Sequence, residues 1–138
     1  MVTDNNRLPL SLLFLRIGVF IVMFVWALDK IVQPDHAAAV FANFYLLEGM
    51  EAGVLAAIGV IQIVIYLAFL GGLFRTWTYG LVLVMHTVST LSSYQQYLDP
   101  FNNLLFFAAW PMLAACIALF LLRDADTLWS VDAMRARA

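Results

Sequence analysis

The sequence predicts an all-α integral membrane protein: a four-helix transmembrane bundle with a short extra interfacial helix after helix 1. Three observations carry that prediction. First, 64% of the 138 residues are hydrophobic and 12% are charged. A soluble domain is nearer half apolar and a quarter charged, and one of this length has too little interior to hide so much apolar surface. Second, four apolar runs approach the roughly 20 residues that a spanning helix needs. Third, the basic residues collect at alternate ends of those runs, the pattern of a positive-inside bias. The 11 Phe, 5 Tyr and 4 Trp argue against a disordered chain.

The expected spans are 8–32, 51–73, 77–97 and 103–122, in a single domain covering 1–138. In the first, only Ser11 and Arg16 interrupt the apolar core. Pro9 suits a first helical turn, where its missing N–H costs nothing, and Pro34 is a natural stop. The first helix lacks a small-residue cleavage site and is expected to remain as an anchor. The following DHAAAVFANFYLL is too short to span and reads as an interfacial or re-entrant helix. Gln62 is the main polar interruption of span two, whose glycines allow close helix approach. Span three carries His86 and a polar second half. It is the least hydrophobic, so it is expected to face protein. Pro111 predicts a kink in span four. A polar tail follows over 123–138. No internal repeat is present.

With both termini inside, Arg7, Arg16, Arg75, Arg123, Arg135 and Arg137 lie on or toward the inner side and Lys30 alone lies outside. This predicts a bacterial-type cytoplasmic membrane, multi-pass, with cytoplasmic N- and C-termini. Trp77 and Tyr79 at one face, and Trp26, Tyr94 and Tyr97 toward the other, fit aromatic belts.

At 1.5 Å per residue, Arg16, His86 and Gln62 lie roughly 12, 13 and 16 Å from the inner ends of their helices. Three helices thus place an Arg, a His and a Gln at similar depth. A lipid-facing Arg is costly, so all three are expected to point inward. No acid lies at that depth, so Arg16 is read as lacking an internal counter-ion, and an anion, a lipid phosphate or a quinone-type carbonyl could complete the site. Equally, Arg16 could snorkel to inner-leaflet phosphates, and His86 could be satisfied by one helix carbonyl.

A second cluster lies toward the outer side: Asp29, Lys30, His36, Glu48, Glu51, Tyr94 to Gln96 and Asp99. It reads either as a polar pocket or as a solvated rim in which Lys30 pairs with Glu51 or Asp99. The candidate ligand-binding residues are therefore Arg16, Gln62, His86 and Lys30. No catalytic set is identified, so enzymatic activity stays open. Metal binding is not expected, because His36 and His86 sit at different depths without clustered ligands. The lone Cys116 excludes an internal disulfide or a CxxC pair, and no nucleic-acid signature is present.

In layout, and in LRIGVFIVMFVWALDKIVQP with Arg16 and Lys30 fourteen positions apart, the chain resembles the DoxX-like family of small four-helix membrane proteins. His86 in the third helix and LWSVDA near the C-terminus, with Trp129, Ser130 and Asp132, also match. Trp26-Ala27 stands where the family often carries His-Gly. The resemblance implies a membrane subunit or accessory of a redox system, with a quinone or lipid as the bound molecule. Because the chain has no redox cysteine pair, a quinone or a partner subunit would carry the electrons. Its partners would be the lipid bilayer and other membrane subunits or further copies of itself. Two other readings stand beside it. One is a non-catalytic accessory subunit that packs through Gly53, Ala56, Ala57 and Gly59 and through Ala108, Ala109, Ala114 and Ala115. The other is a small-solute transporter, for which no inverted repeat or intramembrane acid speaks.

Overall fold

The computed structural model describes residues 6–138, and every regular element among them is helical. Helix α1 spans Arg7–Val32 and α2 spans Pro34–Tyr45. Helix α3 covers Ala52–Leu70 and α4 covers Arg75–Ser92. A single turn, α5, follows at Tyr94–Tyr97. A 3-10 stretch at Leu104–Ala108 then runs directly into α6 (Ala109–Leu121), and the short α7 spans Val131–Arg135. Three helical segments are long and apolar enough to cross a membrane: Arg7–Val32, Ala52–Leu70 and Leu104–Leu121. Most of their surface faces outward, which is compatible with a membrane protein.

The four longest helical segments pack as neighbours in a ring. Helix α1 lies on α3, α3 on α4, α4 on α6, and α6 on α1, with α2 against α1 and α3. The α1–α3 contact is the most extensive, and Gly59 explains why. A Cβ there would lie 2.8 Å from the Ala27 carbonyl oxygen and 3.0 Å from Ile31 Cγ1. Only a bare Cα lets the two backbones approach so closely. Gly59 is thus spent inside the molecule and is not free to form an outer packing face.

Helix α4 is polar inward and apolar outward. Thr78, Tyr79, His86 and Thr90 are buried at helical spacing, while Val84, Val88 and Leu91 are exposed. The expectation that this segment faces protein therefore holds for one face only, because Leu81, Val84, Val88 and Leu91 share the opposite one. Tyr79, read as a belt residue, is 1% exposed and belongs to the interior.

Helix boundaries follow local chemistry. Pro34 ends α1 and opens α2, where its fixed φ suits the first helical position. Helix α4 stops at Ser92, short of residue 97. Here the Ser92 and Ser93 hydroxyls donate to the Ser89 carbonyl at 2.8 and 3.3 Å and compete with the helix ladder. Pro111 falls in the first turn of α6, where an N–H is unpaired in any helix. The irregularity of this segment is the 3-10 stretch before it.

The polar tail folds back onto the molecule. Val131 N and Asp132 N donate to the Gly71 and Gly72 carbonyls at 2.8 and 3.1 Å. The Asp132 carboxylate accepts from Phe74 N at 3.0 Å and from Arg75 N at 2.8 Å, capping α4. Arg75 Nη1 donates to the Arg123 and Asp126 carbonyls at 2.6 and 2.8 Å. The α3–α4 turn and the tail therefore form one closed end.

Candidate functional site

Arg16 sits at that closed end and has an internal counter-ion. Its Nη1 lies 3.1 Å from Asp126 Oδ2, and both side chains are fully buried. The same Nη1 donates to Tyr79 Oη at 3.0 Å, and Tyr79 Oη donates to Asp126 Oδ2 at 2.6 Å. Nη2 donates to the Leu128 carbonyl at 2.6 Å and to that of Trp129 at 3.3 Å. The reading of Arg16 as lacking an internal counter-ion is thus corrected. The acid comes from the tail, 110 residues downstream in sequence. Gly72, at φ +61°, admits this arrangement, since a Cβ there would sit 2.6 Å from Ser130 Oγ and 2.8 Å from Arg16 Nη1. Ser130 Oγ itself donates to the Gly72 carbonyl at 3.2 Å.

Gln62, His86 and Lys30 share a different feature. All three line a cavity of about 1110 Å³ bounded chiefly by α1, α2, α4 and α6. Arg16 is not on its wall. The structure therefore brings together three of the four candidate residues and keeps the fourth apart. Most of the wall is aliphatic or aromatic, with Trp26 beside His86 at a ring-centroid distance of 6.1 Å. A concave apolar space with a few placed polar groups is the usual form of a site for a small lipophilic molecule.

The polar groups on that wall are only partly partnered. His86 Nε2 lies 3.0 Å from the Ala109 carbonyl oxygen and 3.3 Å from Thr90 Oγ1. Thr90 Oγ1 gives its own proton to the His86 carbonyl at 2.8 Å. Gln62 Nε2 makes a weak contact with Met85 Sδ at 3.8 Å. His86 Nδ1 and Gln62 Oε1 are buried without a partner.

Where α1 meets α2, Asp29 Oδ2 pairs with His36 Nδ1 at 2.8 Å. Lys30 takes neither Glu51 nor Asp99. Its Nζ donates to the Trp26 carbonyl at 3.0 Å and lies 5.9 Å from the centre of the Phe41 ring. Asp99 instead accepts from Asn102 Nδ2 at 2.8 Å. The outer cluster is divided accordingly. Asp29, Lys30 and His36 belong to the cavity, while Glu48, Glu51 and Asp99 are exposed away from it. Tyr94 to Gln96 line a smaller adjoining hollow of about 460 Å³.

Sequence reasoning missed Asp126, Tyr79 and Ser130 as interior groups. The available signal was physical: a buried guanidinium calls for a buried acid, and Asp124, Asp126 and Asp132 are the only acids in the polar tail over 123–138. Comparison with protein-family models, curated proteins and solved structures gives no match to this chain.

Proposed function

We propose that this chain is a four-helix transmembrane protein of DoxX-like type that binds a lipophilic, quinone-class molecule in the cavity between α1, α2, α4 and α6. It serves as the membrane subunit of a redox system in a bacterial-type inner membrane. The observation that carries the reading is the cavity itself: about 1110 Å³ of largely apolar space with His86, Gln62 and Lys30 on its wall. Such a space suits a ligand with an apolar body and a small polar head. No side chain on the wall can relay two electrons, so the bound molecule or a partner chain does so. Helix α4 is the fourth crossing in this reading. Its buried polar groups face the interior, and the exposed Trp77 and Leu81 face the lipid. Arg16, Arg75 and Arg123 gather at one end, which supports placing that end in the cytoplasm. Arg16 serves there as a structural group, joining α1 to the tail.

A second reading, an accessory subunit packed against a larger membrane complex, draws on the outward-facing Ala57 and Ala114. Native mass spectrometry of protein extracted gently from its own membrane separates the two. A retained quinone or related small molecule, lost when Trp26, Gln62 and His86 are replaced together, is the expected result. A bare chain carrying only ordinary lipid would overturn the ligand reading, and a stoichiometric partner chain without small molecule would favour the accessory subunit.

A further inference from the structure

Gln62 and His86, both lining the cavity, each hold one buried polar atom without a partner, and the two atoms have the same hydrogen-bonding sense. The Ala109 carbonyl can only accept, so His86 Nε2 carries the proton of that 3.0 Å contact. In the neutral ring, Nδ1 then holds a lone pair and no hydrogen. Gln62 turns its amide nitrogen toward Met85 Sδ, which leaves Oε1, also an acceptor, without a partner. Both atoms are shut off from water. They belong to neighbouring parts of the wall, since Gln62 touches the residue next to His86. Buried acceptors without donors are rare in folded proteins and call for an explanation.

We infer that the cavity selects a lipophile whose polar head donates hydrogen bonds, a neutral hydroxyl on an apolar body, over one whose head only accepts. This rests on the ligand reading given above and narrows it: within the quinone class the reduced quinol, whose hydroxyls donate, is favoured over the oxidised quinone, whose carbonyls only accept. A hydroxyl placed against Gln62 Oε1 or His86 Nδ1 satisfies a lone pair that nothing else reaches. A carbonyl or ether oxygen there sets lone pair against lone pair, and an acyl chain satisfies neither acceptor. Meeting the ligand asks Gln62 and His86 to turn these atoms into the cavity, because both are covered in the present arrangement. Lys30, also on the wall, has three Nζ protons, of which one goes to the Trp26 carbonyl, so it can serve an acceptor on the same head group.

The test uses the full chain in detergent micelles and a redox-inert pair of probes: a long-chain 4-alkylphenol and its methyl ether. A benzoquinone of similar chain length is the third probe. Equilibrium dialysis gives the three affinities. The phenol is expected to bind about tenfold more tightly than the ether, the difference that one satisfied buried acceptor makes. In a Gln62→Leu variant the phenol should fall toward the ether while the ether is unchanged, and the ether also reports that the variant is folded. Equal binding of phenol and ether overturns the inference and leaves the ligand reading standing. Binding of none of the three probes overturns both. A phenol preference that survives both Gln62→Leu and His86→Phe overturns the assignment to these two acceptors.

Discussion

Arg16 and Asp126 form an ion pair with no exposed surface, and their remaining contacts decide how it behaves. Tyr79 donates to the carboxylate while the guanidinium reaches two backbone carbonyls. Removing one partner of a buried pair leaves an uncompensated charge and costs about 3–5 kcal/mol. Arg16→Leu and Asp126→Leu should therefore each lower the thermal unfolding midpoint sharply in detergent. The double variant Arg16→Leu, Asp126→Leu should lose much less than the two single losses together. Additive losses in that cycle would show that the two side chains act independently. Arg16 was legible in the sequence as an inward group, because a lone guanidinium in an apolar run has few alternatives. His86 and Gln62 were legible for the same reason. Asp126 was not, since it lies 110 residues away in a stretch that reads as solvated, and no local pattern encodes a tail folding back.

The same contrast holds for whole elements. The long apolar segments were readable to within a few residues, because continuous hydrophobicity marks them without reference to neighbours. The break after Ser92 and the 3-10 entry to α6 were not, since they depend on serine hydroxyls and backbone geometry rather than on hydropathy. Two substitutions probe how the elements are joined. In Gly59→Ala the added methyl meets the Ala27 carbonyl, a backbone atom that cannot rotate away. The variant should lose about 1–3 kcal/mol as α1 and α3 are forced apart, read as a fall in the unfolding midpoint. An unchanged midpoint would mean that the two helices slide past each other freely. Asp132→Ala removes the acceptor for two N–H groups at the start of α4. It should cost about 1 kcal/mol, as loss of a helix cap does, and amide exchange at Phe74 and Arg75 should quicken. Protection retained at both amides would show that the tail is not the cap.

For the molecule as a whole, the proposed topology sets the closed, arginine-rich end in the cytoplasm and the Asp29–His36 elbow outside. In a Cys116→Ser background, Glu48→Cys should react with a membrane-impermeant maleimide in intact cells, and Arg137→Cys should react only after the membrane is opened. The opposite pattern would invert the molecule. Cys116 is 2% exposed and should give little background even when retained. The tail contact also bears on how such a chain is made. Translation delivers Asp126 long after Arg16, so on the membrane reading α1 enters the bilayer carrying a bare cation. That cation is neutralised only when the ribosome has passed residue 126 and the nascent tail has docked against the α3–α4 turn. A transcript cut short before that codon would leave four inserted helical segments around an open charge. Such a product is one that quality-control proteases of the membrane could distinguish from the finished protein by chemistry alone.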